Sequence, residues 1–208
     1  MLRIDRRTFL SALTAAAMLG APALAQGSVS VMDLHAPSAL GDKPLGNENA
    51  PVTVVEYASM SCPHCGAFHR ETFDAFRQKY VDTGQVRFIF REFPLDASAF
   101  AAAMVARCAP AERYYEVVDA YFDAQADWLG AQDLYGAMLK IAAPFGFTKE
   151  SFEACLANQA LFEGLSAERT RASQRFGVQA TPTFFINGQK HEGALSLEEL
   201  DAAIQPLL

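Results

Sequence analysis

Two thiols stand three residues apart in Cys62-Pro63-His64-Cys65, at the start of a stretch with one apolar helical face. Such a pair can close into a disulfide or stand open as a dithiol. It exchanges with other disulfides only through a thiolate, so its chemistry is governed by thiol pKa. Cys62 falls at the N-cap of the expected helix. Pro63 takes the first helical position, where its missing N–H costs nothing. The Cys62 sulfur then faces the free N–H groups of the first turn and the positive end of the helix dipole. His64 adds a donor, and a positive charge when protonated. Each of these favours Cys62 as an anion, which favours the reduced form and makes the disulfide a strong oxidant. Far downstream, Ala180-Thr181-Pro182-Thr183-Phe184-Phe185-Ile186 carries a Thr-Pro step straight into a strand. A dithiol at a helix start and a later X-Pro strand together mark a redox site.

The elements that must position these residues follow from periodicity. Val52 to Tyr57 is a nearly continuous apolar run with β-branched residues, as in a buried parallel strand. A helix from Pro63 to about Val81 places Cys65, Phe68, Thr72, Phe73, Phe76 and Tyr80 on one face. A strand over 86–93 ends before Pro94. Residues 97–175 read as successive helices broken at Pro110, Gly130 and Pro144-Phe145-Gly146. Thr183–Ile186 and 189–192 form a hairpin around Asn187-Gly188. Ser196-Leu197-Glu198-Glu199 is a capping box opening a last helix. The fold class is therefore α/β: a thioredoxin fold with an inserted all-helical domain. The segments are an extended lead-in over 26–44, a core over 45–95 and 176–208, and a helical insertion over 96–175.

Cys-Pro-His-Cys, the helical block and the Thr-Pro hairpin resemble the bacterial periplasmic thiol:disulfide oxidoreductases of the DsbA family, over almost the whole chain after its leader. The resemblance implies an exposed nucleophile at Cys62 and a buried resolving thiol at Cys65. It implies a cis-proline step at Thr181-Pro182 that lies against the dithiol and pairs with substrate backbone. Glu56, six residues before Cys62, matches a buried acid that relays protons to or from Cys65; the other reading is a solvated Glu at a strand edge. The implied activity is disulfide donation to reduced, newly exported proteins, with a quinone-linked membrane partner of DsbB type restoring the disulfide. Thr181 departs from the Val common in family oxidases and also occurs in related isomerases, so an isomerase or reductase is the first alternative. Those isomerases carry an N-terminal oligomerisation domain, for which residues 26–50 are too few. The second alternative is a metal-handling or binding module without turnover.

Arg3, Arg6 and Arg7 precede an uncharged stretch from Thr8 to Ala25 that ends in Ala23-Leu24-Ala25. Residues 1–25 thus read as a signal peptide, of twin-arginine or Sec type, leading to the periplasm, where disulfides persist. The net charge of −7 argues against nucleic acid. A monomer is expected. Cys108 and Cys155 form a structural disulfide between two helices, the reading preferred here, pack as buried free thiols, or make a second redox site. Cys62, His64, Cys65 and His69 are not expected to hold a metal, because both rings would have to swing onto the same side as two thiols that the helix start separates. Haem attachment would need His, not Gly66, after Cys65. No cofactor is expected beyond the Cys62–Cys65 disulfide. His35 and His191 read as surface residues. Phe68, Phe73, Phe76, Phe88 and Phe90 read as core. Met60 and the Phe184-Phe185 pair are candidates for an apolar substrate groove, with at least one of the two Phe in the core. Trp128 reads as a residue near the tip of the helical block.

Overall fold

The computed structural model describes residues 29–208, so the expected leader lies outside the described residues. Strands β1 (Pro44–Leu45), β2 (Val52–Ala58), β3 (Val86–Glu92), β4 (Thr183–Ile186) and β5 (Gln189–Glu192) form one sheet in the order β1-β3-β2-β4-β5. β2 and β3 run parallel, and the other pairs are antiparallel. The central strand β2 is buried along its whole length, because helices cover both faces of the sheet. Successive side chains alternate between these faces. Val52, Val54 and Ala58 join Phe88, Phe90, Phe184 and Ile186 in the larger core. Val55 and Tyr57 join Ile89, Phe185 and Phe176 on the other side.

The larger core is closed by one continuous helical run. It begins as α2 (Pro63–Phe68), passes through a π-helical turn at His69–Phe73, continues as α3 (Asp74–Phe76), and ends in a second π-helical turn at Arg77–Val81. Phe68, Phe73, Phe76 and Tyr80 all point from it into the core. The insertion follows β3 as α4 (Ala97–Cys108), α5 (Tyr114–Asp123), α6 (Gln125–Leu129), α7 (Leu134–Ala142), α8 (Lys149–Leu156) and α9 (Gln159–Phe176). α9 returns across the second face, where Ala172 and Phe176 pack on Tyr57 and Phe185. The last helix, here α10 (Leu197–Ile204), opens with the expected Ser196/Glu199 capping box.

Two expectations are corrected. The lead-in is not simply extended: a short helix, α1 (Val31–His35), capped by Ser30, buries Leu34, and β1 already begins at Pro44. The buried Arg91 guanidinium explains this order, since it grips Asp42 through two hydrogen bonds of 3.0 and 2.8 Å and also donates to Ala36 O. His35 and His191 are half-buried rather than surface residues, and each has a buried Nε2 without a partner. Trp128 is fully buried, donates to Tyr121 O at 2.9 Å and stacks edge-on against the Tyr121 ring. It anchors α6 against α5, because an indole this large is best satisfied where its N–H finds a carbonyl.

Insertion and core are tied together by Arg107 of α4. It makes two 2.7 Å bonds to the buried Glu92 carboxylate at the end of β3, which also accepts from Tyr114 at 2.6 Å. Within the insertion, Cys108 and Cys155 form a disulfide between α4 and α8, with 47 residues of sequence separation. Loop-closure entropy gives such a link about 4 kcal/mol. Cys108→Ser/Cys155→Ser is therefore expected to lower the unfolding free energy by about that amount. Denaturant titration of the two proteins checks this, and equal midpoints would refute it.

Candidate active site

The first turn of α2 is built as an anion site. Cys62 is its N-cap, in extended conformation, and Pro63 occupies the first helical position. Cys62 Sγ donates to Thr181 O at 3.2 Å. The Thr181–Pro182 peptide is cis, and β4 starts at the next residue, paired to β2 through Tyr57↔Thr183 and Glu56↔Phe184. Sheet register thus carries the Thr-Pro step to the end of β2 from which the dithiol loop departs. That loop is clamped from the insertion. Gln125 Nε2 donates to Met60 O at 2.7 Å and to Cys62 O at 2.9 Å. A Cβ at Gly66 would collide with Gln125 Oε1, which is why the residue after Cys65 has no side chain. Asp96, the N-cap of α4, accepts from Ser61 Oγ at 2.6 Å and from Ala99 N at 2.9 Å, which fixes the loop from the other side.

The two sulfurs meet opposite environments. The Cys62 thiol is lowered to about 5, first by a hydrogen bond from the Cys65 thiol. Burial opposes this, and the Thr181 hydroxyl and the backbone N–H groups of Cys65 and His64 add to it. In the dithiol form the Thr181 hydroxyl is buried without a hydrogen-bond partner, so it is a free donor for the thiolate. His64 contributes through its backbone rather than its exposed ring. Burial pushes the Cys65 thiol far above the ordinary range, and its hydrogen bond to Cys62 and the Glu56 charge push it the same way.

The structure brings Cys62, Cys65, Thr181 and Pro182 together, with Pro63 and His64 on the exposed rim of the same turn. Glu56 is fully buried, not solvated. Cys62 is more enclosed than the exposed nucleophile the resemblance implied, at 6% accessibility against 0% for Cys65, because the Thr181 carbonyl and the loop over Met60 cover it. Met60, Phe184 and Phe185 do not line a groove: all three are buried, and the two Phe serve opposite faces of the sheet. Two residues of the site carry no functional assignment in the sequence reading. His69 is buried and sits 3.1 Å from Glu56 through Nε2; its position four residues after Cys65 on a helix was the available signal. Gln125 gives no sequence signal, since only the docking of α6 brings it to the dithiol loop.

The sign of a pH effect follows. Cys62 is lowered in the folded dithiol, so the stability it contributes is complete above the pH where an unfolded thiol ionises, about 8.5, and is lost as pH falls through about 5. The dithiol form is expected to gain stability relative to the disulfide form as pH rises from about 5 to about 8. Paired denaturant titrations test this, and a flat difference would contradict it. Cys65→Ala is expected to raise the Cys62 midpoint by about one unit or more, read from thiolate absorbance, whereas His64→Ala keeps the backbone N–H and is expected to leave it nearly unchanged.

Comparison with known proteins agrees with this geometry. A thioredoxin family model matches residues 39–206. A Rickettsia bellii protein with the provisional designation protein-disulfide oxidoreductase is 30% identical over 164 residues, covering 78% of this chain and 63% of its own. The chain thus spans under two thirds of that relative. Disulfide bond formation protein D of Bacillus subtilis is 25% identical over 182 residues, covering 81% of this chain and 78% of its own. The crystal structure of Wolbachia pipientis alpha-DsbA1 superposes with a TM-score of 0.77 and 32% identity, over 84% of this chain and 94% of that one. With a family model matched from residue 39 to 206 and alpha-DsbA1 superposed over most of both chains, the chain belongs to the DsbA-type branch of the thioredoxin family.

Proposed function

We propose that this protein is a thiol:disulfide oxidase that passes the Cys62–Cys65 disulfide to reduced, newly exported proteins. The observation that carries this reading is the asymmetry of the pair: Cys62 is held as a thiolate near neutral pH, while Cys65 is held as a thiol. A client thiolate attacks Cys62 Sγ, the S–S bond breaks, and its electron pair goes to Cys65, which takes up a proton from the side of Glu56. A second client thiolate then attacks the client sulfur of the mixed disulfide. The new client disulfide forms, and Cys62 leaves as a stabilised thiolate. A good leaving group at Cys62 drives this last step forward. The client segment lies along Thr181-Pro182. Its site is the periplasm, and a quinone-linked membrane protein of DsbB type accepts the two electrons and restores the disulfide. Among the described residues no helix is long and apolar enough to cross a membrane.

Thr181 favours one second reading, an isomerase or reductase. A Novosphingobium aromaticivorans structure described as a protein-disulfide isomerase is 26% identical, with a TM-score of 0.67. The redox potential separates the two. Equilibration of the full-length dithiol with glutathione is expected to give a value nearer the strongly oxidising end, about −120 mV, than the thioredoxin value of about −270 mV. A value at the thioredoxin end would reverse the assignment in favour of reduction. Cys65→Ala is expected to accumulate disulfide-linked adducts of exported proteins through Cys62; their absence would remove Cys62 as nucleophile.

A further inference from the structure

The His69 ring has a second face that the exchange chemistry does not use. The ring is stacked on Phe122 with centroids 4.1 Å apart and is flanked by Phe73 and Phe90. Nε2 is engaged by Glu56 Oε2. Nδ1 is buried, has no hydrogen-bond partner, and stands 3.7 Å from Asp119 Oδ1. His69 also lines a cavity of about 140 Å³ with Phe73, Asp74, Asp119 and Asp123, and the Asp119 side chain is 36% exposed. On the inner side, Glu56 Oε1 is buried and unpartnered, and the Glu56 charge acts on Cys65. A buried chain of polar groups therefore runs from Glu56, on the strand that leads into the dithiol loop, to solvent through one imidazole.

We propose that His69 is the positioning residue that balances the proton of Cys65 with solvent. As the Cys62–Cys65 disulfide closes, Glu56 accepts the Cys65 proton on Oε1 and the His69 imidazolium releases its Nδ1 proton to Asp119 and the cavity. The Cys65 electron pair forms the S–S bond, and the sulfur bound to Cys62 leaves. In the opposite direction Glu56 returns its proton to the departing Cys65 sulfur and the ring regains one at Nδ1. The Nε2–H stays on Glu56 throughout, so the stacked ring needs no turn. Each step then leaves the same net charge around the buried thiol, which avoids the cost of an uncompensated charge there. The charged groups facing the ring are Glu56 from β2, Asp119 and Asp123 from α5, and Asp74 and Arg70 from its own helical run. Burial alone would lower the ring's pKa; Glu56 and Asp119 reverse this and raise it to about 9, so the ring carries a proton to release at neutral pH.

This inference rests on the proposed exchange at Cys62, and the test separates the two. Full-length protein carrying 2-nitro-5-thiobenzoate on Cys62 releases the coloured thiol when Cys65 attacks, which is followed by stopped flow from pH 6 to 10. His69→Gln is expected to slow release at pH 7 about 10- to 100-fold and to leave a rate that climbs with pH throughout. Asp119→Asn is expected to slow it to a smaller degree, with Cys62 alkylation at the wild-type rate. Wild-type release rates and pH profiles in both variants would overturn the role of His69. Asp119→Asn decides alone if His69→Gln does not fold. Failure of the wild-type protein to form the adduct or release the thiol would instead overturn the exchange reading.

Discussion

Two residues, Pro63 and His64, separate two sulfurs that the fold treats in opposite ways, and the rest of the molecule serves that difference. The N-cap position turns Cys62 toward unpaired backbone donors, while the next turn sinks Cys65 beneath the loop. A helix start supplies donors within one turn only. The opposite environments therefore require that the helix begin at Cys62 and nowhere else. Pro63 sets that start, and Thr181 O closes over the sulfur from another strand.

The inserted helices make the surroundings rigid. The Gln125 amide spends both its hydrogens on the carbonyls on either side of Ser61, and Asp96 holds the Ser61 hydroxyl. Phe122 covers His69, and Asp119 stands outside it. The insertion thus acts as one wall of the site as well as a cover for the core. Its own attachment is ionic. Arg107 and Glu92 are both nearly buried and fully hydrogen-bonded, so the desolvation of each charge is offset only while its partner remains. Such a pair specifies one docking geometry, since a slipped arrangement would strand a charge in the core.

Much of this was legible in the chain itself. The Cys-Pro-His-Cys spacing, the apolar run before it, the helical face through Phe68 and Phe76, the Asn187-Gly188 turn and the Ser196 capping box are local signals. Each is set by interactions within a few residues, so periodicity and capping chemistry report them directly. The Thr183–Ile186 and Gln189–Glu192 strands and the final helix follow the same logic. The misread residues fail for one common reason. Met60, His35 and His191 have types that suit either surface or core, and only the packing partner decides.

What the sequence determined by itself is therefore the chemistry on offer: a dithiol at a helix start, a Thr-Pro strand to oppose it, and a Glu on the preceding strand. What only the tertiary structure decided is how those groups are tuned. Thr181 reaches Cys62 across 119 residues of chain, and Gln125 reaches it across 63. Glu56 is buried rather than solvated because β2 is central, and His69 faces it because the helix that starts at Pro63 docks over that strand. Burial and long-range hydrogen bonding set the electrostatics of a thiol. Both arise from the docking of elements distant in sequence, which no local pattern encodes.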